Sequence, residues 1–331
     1  ACPGMAIVVT AGNHDSSSKL EIDSNLWQHF GLNVVGNIER TAEEVNLDKH
    51  IIEINNEKKT KGYVIAVPHV YPQNFPLLDT ETPRDQRQAR FFQALLDEVK
   101  KRNTAQLPVV LMAHLSIEGS DRSGHDESIG GIEYVPLSAM GEGYDYLALG
   151  HIHCPQDIKG SHHHARYCGT PLPVSFDETY PHSVSIIELE KGAEPQISTR
   201  EIENPIPLVT LPHDPTPFED ALKLLEEYPE EKPAYLRLNV LTKGYLPPDC
   251  NEKASNAAKG KACKYCYIKT TRERQADTDE SKPISIQEMQ EMSPLEIARL
   301  YYRETEGKEM DPELCQLMET VMQKVKSKNN S

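Results

Sequence analysis

Several things are scarce in this sequence, and each shortage excludes something. One residue in 331 is tryptophan, and aromatics make up 6%. No run approaches the roughly eighteen consecutive apolar residues that a membrane-spanning helix needs. The opening ACPGMAIVVTAGNHD has no basic stretch followed by an apolar one, so no secretory leader is expected. Seven cysteines, odd in number and widely scattered, do not make a disulfide framework. A reducing, cytoplasmic setting is the expectation. Positive charge is also short: 35 Lys and Arg stand against 51 Asp and Glu, a net charge of −16. A protein that grips DNA without specificity usually carries the opposite sign. Any nucleic acid would therefore be held by metal ions, by a partner or by local basic clusters. Two such clusters exist, Lys58, Lys59 and Lys61, and Arg84, Arg87, Arg90, Lys100, Lys101 and Arg102; solvated helix and hairpin faces explain them equally well.

What is present is ordinary for a globular chain, with 38% hydrophobic and 26% charged residues. The length exceeds what one compact core usually uses, so two domains or one with an appendage is expected. Apolar runs predict strands at 5–11, 33–38, 50–54, 63–68, 108–113 and 146–150, and further strands at 165–168 and 183–189. Ser18–Glu21 fits a capping box opening a helix whose apolar face is Leu20, Trp27 and Phe30. A helix is predicted over 82–103. Strands alternating with helices argue an α/β core. Five prolines between Pro205 and Pro217 suggest a linker. A helix–strand–helix–strand pattern follows, over 218–227, 234–240, 251–259 and 264–270, which suggests a compact two-layer unit. After the charged segment 272–282, amphipathic helices are predicted over 293–306 and 311–326, the first capped by Ser293-Pro294.

Three short segments carry chemistry: Gly12-Asn13-His14-Asp15, Ala113-His114 and Gly150-His151-Ile152-His153. Each follows an apolar strand immediately, which is where open α/β sheets place ligands. An amide carbonyl and three imidazoles delivered to one sheet edge form a mixed N/O site for a divalent ion such as Mn, Fe or Zn. The preceding glycines are expected to let the backbone turn sharply and approach a phosphate.

These segments resemble the later motifs of the calcineurin-like metallophosphoesterases. A further segment, Arg166-Tyr167-Cys168-Gly169-Thr170-Pro171-Leu172-Pro173-Val174-Ser175-Phe176-Asp177-Glu178, is similar to one found in the SbcD family of bacterial nuclease subunits. The resemblance extends over nearly the whole chain. It implies a metallophosphoesterase core over 1–204, a small α/β capping domain over 205–280 and C-terminal helices over 281–331 that dock an SbcC-type ATPase. The implied activity is hydrolysis of phosphodiester bonds in DNA: exonuclease on double-stranded ends and endonuclease on single strands and hairpins, in replication and recombination. The family works as a homodimer within a heterotetramer. Two manganese ions are implied, with Asn13, His114 and His151 on one and His153 on the other. His14 would face the scissile phosphate, and Asp15 would orient His14 or stabilise the turn.

The family's first two motifs, Asp-x-His and a Gly-Asp segment, have no counterpart in the eleven residues before Gly12. They include the carboxylate that bridges the two ions. The expectation is an N-terminally truncated chain with an incomplete second metal site and little nuclease activity alone. Other readings are a nucleotide or protein phosphatase, or a non-catalytic remnant that binds SbcC. Cys263 and Cys266, with Cys250, could bind metal but read better as strand residues. His162, His163 and His164 read as turn residues. Asp121, His125 and Asp126 lie in a polar loop, and Asp177 and Glu178 either support the site or cap a turn.

Overall fold

The computed structural model describes residues 5–40, 45–56, 59–79, 81–121, 134–161, 164–244, 246–272, 293–306, 309–312 and 314–318. Two compact units divide at Arg272. Among the described residues no helix is long and apolar enough to cross a membrane.

In the first unit β1 (Ile7–Thr10) is followed by two short helices, α1 (Ser17–Leu20) and α2 (Ser24–Gln28), and by β2 (Leu32–Val35). β1 and β2 pair in parallel as a small sheet of their own. The predicted capping box does not form. Ser16 is the N-cap and makes no side-chain cap bond. The Glu21 carboxylate instead accepts hydrogen bonds from the backbone N–H groups of Gly36 and Asn37, at 2.6 and 3.1 Å, and pairs with Lys49 at 2.7 Å. A carboxylate with donors beyond its own helix gains more from them than from reaching back. The predicted apolar face is also exposed, with Trp27 at 42% and Phe30 at 71%.

The larger sheet contains β3 (Ile51–Asn56), β4 (Lys59–Val67), β5 (Val109–His114), β8 (Tyr146–Gly150), β9 (Gln156–Asp157) and β10 (Ala165–Tyr167), in the order β3-β4-β5-β8-β10-β9. Two-residue strands β6 (Ser116–Ile117) and β7 (Tyr134–Val135) pair beside it. β4, β5, β8 and β10 run parallel, so their C-terminal ends share one rim. Between β4 and β5 lies α3 (Arg87–Arg102). It buries Phe91, Phe92, Leu95, Leu96 and Val99, the residues that helical spacing puts on one face. Three basic residues close its last turn, where the helix dipole favours cations, and the Asn103 side chain bonds both the N–H and C=O of Leu107 just beyond. Half of the basic cluster at this helix is paired with carboxylates: Arg90 with Asp79, Lys101 with Glu98, and Arg102 with Asp48 and Glu98. Lys58 lies outside the described residues.

An antiparallel pair, β11 (Ser183–Glu188) and β12 (Gln196–Glu201), leads to a parallel three-stranded sheet. Its strands are β13 (Leu208–Thr216), β14 (Tyr235–Thr242) and β15 (Lys264–Arg272), with α4 (Phe218–Glu226) and α5 (Cys250–Ala258) as crossovers. The proline-rich stretch expected to be a linker is thus strand β13. It lies at the sheet edge, and its register breaks between Leu211 and Thr216. An edge strand needs only one row of hydrogen bonds, so it can absorb Pro212 and Pro215. Cys250 and Cys263 are buried with the core of this module, while Cys266 is exposed. In the second unit α6 spans Pro294–Glu306, and residues 314–318 are helical. The remainder of the predicted helix 311–326, apart from residues 311 and 312, lies outside the described residues, as do His125, Asp126, His162, His163 and the segment 273–282.

Candidate metal centre

The rim of the large sheet is where the polar strand ends meet. After β1 the chain turns through Gly12–Asp15. The Gly12 N–H donates to Asp15 Oδ2 at 2.7 Å and the Asp15 N–H to the Gly12 carbonyl at 3.2 Å. Asp15 therefore closes this turn through Gly12. The His69 N–H donates to the Ala11 carbonyl at 2.8 Å and ties the turn to the end of β4.

That turn brings the Asn13 amide to two imidazoles from other strands. Asn13 Oδ1 is 3.1 Å from His114 Nε2 and 3.4 Å from His151 Nδ1. The two rings are 5.4 Å apart, nearly edge to face. His151 follows β8 with φ of 102°, a backbone conformation that costs a residue with a side chain of order 1–3 kcal/mol. Strain of this kind persists only where the surroundings hold it, and here it turns the ring towards Asn13.

The two glycines do something different from the expected sharp turns. Neither Gly12 nor Gly150 has a left-handed backbone. A Cβ on Gly12 would fall 2.7 Å from His114 Cε1, and one on Gly150 2.9 Å from His114 Nδ1. The His114 ring lies between two bare backbone segments, and only glycine leaves it room.

A fourth histidine joins the group, one that sequence reasoning passed over. His69 stacks on His151 at 6.2 Å and meets His114 edge-on at 5.9 Å. Its Nδ1 donates to the His114 carbonyl at 3.4 Å, while its buried Nε2 has no hydrogen-bond partner among the described residues. Burial pushes its imidazole below the ordinary histidine range, against that hydrogen bond, and the nearby His14 pushes the same way. The signal was available: Val-Pro-His ends an apolar strand just as Ala-His does at His114.

His153 is held on both sides. The Thr170 N–H donates to its carbonyl at 3.1 Å, and Gly169, at φ of 72°, approaches so closely that a Cβ there would lie 2.5 Å from that oxygen. Its Nδ1 is 2.8 Å from Glu178 Oε1, a carboxylate whose side chain is fully buried. His14 is exposed on the turn beside Asn13.

One amide oxygen and two imidazole nitrogens, from three strand ends and converging on one point, fit a single divalent ion of intermediate softness. Among the described residues no group of three or more His, Cys, Asp or Glu side chains is arranged to hold a metal ion. The donors brought together are the Asn13 oxygen and the His114 and His151 nitrogens.

Residues 2–155 match the calcineurin-like phosphoesterase family, and residues 204–306 match SbcD_C, the family of the Type 5 capsule protein repressor C-terminal domain. The calcineurin-like match implies divalent metal ions. Three curated relatives each bear the name of the SbcD component of the nuclease SbcCD. One, from Rhodobacter capsulatus, is 32% identical over 237 residues, covering 68% of this chain and 58% of the relative. One from Escherichia coli is 24% identical over 320 residues, covering 93% and 76%. One from Bacillus subtilis is 30% identical over 199 residues, covering 57% and 48%. The chain thus spans between about half and three quarters of the length of these relatives.

Proposed function

This chain belongs to the SbcD family of calcineurin-like phosphoesterases, and from that premise we propose that it is a metal-dependent nuclease subunit that cuts phosphodiester bonds in DNA. The observation that carries the reading is the convergence of Asn13, His114 and His151 at the end of parallel strands. These three residues would hold the ion, manganese in this proposal. When bound, such an ion activates water and offsets charge on a phosphate oxygen. His14, exposed next to Asn13, would donate a hydrogen bond to the incoming phosphate. Gly12 and Gly150, without side chains, keep the rim open around His114. His153 would serve a second ion or a phosphate oxygen.

In this reading residues 1–204 form the phosphoesterase domain, 205–280 a capping domain and 281–331 a helical tail that binds an SbcC-type ATPase. The working form is a homodimer within a heterotetramer in the cytoplasm. The net charge of −16 supports delegation of DNA contact to metal ions and the partner. Cutting by the isolated chain is expected to be slow beside that of the complex.

The test is cleavage of linear duplex DNA by the chain together with its SbcC-type partner in Mn²⁺. Cutting that requires the metal and is lost in His114→Ala supports the proposal. Hydrolysis of a small phosphomonoester with the duplex left intact would replace it with a phosphatase.

A further inference from the structure

Three segments far apart in the chain supply the donors at the rim, and His69 touches all three. Its backbone N–H donates to the Ala11 carbonyl at 2.8 Å, two residues before Asn13. Its Nδ1 donates to the carbonyl of His114 at 3.4 Å, where β5 ends. Its ring lies nearly parallel to that of His151, 15° between planes with centres 6.2 Å apart, and meets the His114 ring edge-on at 5.9 Å. Tyr71 in turn meets His69 edge-on at 5.0 Å. All three separations fall in the range over which aromatic rings attract, roughly 4.5–7 Å between centres. His151 requires such a neighbour, because its positive φ is strained and persists only where the surroundings hold it. His69 is not itself a donor: among the described residues no three histidine, cysteine or acidic side chains are placed to share an ion.

We infer that His69 is the positioning residue of this rim: its side chain sets the His114 and His151 rings in place around Asn13 Oδ1, through the bond to the His114 carbonyl and the stack on His151, before any ion arrives. The gain is preorganisation. Donors already gathered lose less conformational freedom when they close on an ion, so affinity rises with no extra bond to the metal. The backbone bond to Ala11 fixes the turn separately and is kept by every substitution except proline. The inference rests on the reading of the rim as a metal site, in which Asn13, His114 and His151 hold the ion.

The test uses the full chain with three substitutions. His69→Ala removes both side-chain contacts, His69→Asn keeps a short amide able to donate to the His114 carbonyl, and His69→Phe keeps a ring for His151. Mn²⁺ affinity of the folded chain, measured by calorimetry, is expected to fall about tenfold or more in His69→Ala, the scale of outer-shell partners, with His69→Asn and His69→Phe each recovering part of it. In the metal-free chain the magnetic cross-relaxation between ring protons of His114 and His151, whose centres are 5.4 Å apart, should weaken in His69→Ala and return in part in the other two. A side chain that only stabilised the fold would lower the unfolding temperature and move neither readout. Either an affinity within about twofold of the wild type or an intact ring signal in His69→Ala overturns the inference. A wild type that takes up no Mn²⁺ removes the metal reading of the rim. The ring signal then decides on His69 by itself: weakened in His69→Ala it supports the positioning role, and intact it overturns it. If His69→Ala does not fold, the other two decide, since each lacks one contact, and wild-type affinity in both overturns the inference.

Discussion

In the six-stranded sheet the working polar side chains come where strands stop: His114 is the last residue of β5, and His151 follows the last residue of β8. In the three-stranded sheet the buried polar residues lie mid-strand. Arg237 and Asn239 alternate on β14 with Leu236, Leu238 and Val240. The apolar set packs under α4 and α5, and alternation sends Arg237 and Asn239 to the opposite face. That face meets Asp177 and Phe176. Both sheets contain parallel strands whose C-terminal ends share a rim, yet β13, β14 and β15 end in Thr216, Thr242 and Arg272. Parallel topology supplies a rim; what the rim does depends on which residues end the strands. The second sheet spends its polar residues on docking.

That contrast can be broken by substitution. The largest effect is expected from His114→Ala, which should weaken Mn²⁺ binding measured by calorimetry by more than the ~10–100-fold that outer-shell changes cost. Binding unchanged within a factor of two would remove the rim from the metal's account. Leu238→Ala in the three-stranded sheet should cost about 2–5 kcal/mol in urea unfolding. Mn²⁺ affinity in buffer should stay at the wild-type value, since Leu238 packs in the core of its own sheet; a matching loss of affinity would merge the two regions.

A histidine away from the rim gives the pH test. His50 is fully buried beside Phe91, and burial pushes its imidazole down to about 4 despite the 2.7 Å bond from Nδ1 to the Ala66 carbonyl. The unfolded chain takes up a proton near pH 6.5 and the folded chain only near 4. Stability is therefore intact above about 6.5 and is lost as pH falls towards about 4, by roughly 3 kcal/mol in full. His50→Leu should flatten that part of the pH profile; an unchanged slope would assign it to other groups. Gly12→Ala should cost about 1–3 kcal/mol, because the new methyl must displace the His114 ring. Trp27→Ala, on the exposed helix pair, is expected to change stability by under about 0.5 kcal/mol.

The central strands β4, β5 and β8 of the large sheet were readable because each is an apolar run stopped by glycine, proline or histidine, and they lie parallel with buried neighbours. The Asn13, His114 and His151 set was readable for the same reason, as a polar residue directly after such a run. His69 has the same signature but comes alone after a proline, without a second motif residue to mark it. Pro205–Pro217 misled because proline density signals a linker only when no sheet edge is at hand. Ser18–Glu21 misled because Glu21 found its donors on Gly36 and Asn37, far along the chain, a contact local spacing does not encode.

Residue order alone marked the apolar strands β1, β4, β5 and β8 and the polar side chains near their ends, since apolar length and terminating residues are local properties. Only the folded chain decided that Gly12 and Gly150 make room for one imidazole, that His69 completes the histidine group, and that Asp177 pairs with Arg237 while Glu178 meets His153. Those outcomes depend on distances between segments far apart in sequence, set by sheet order and packing, which no local pattern records.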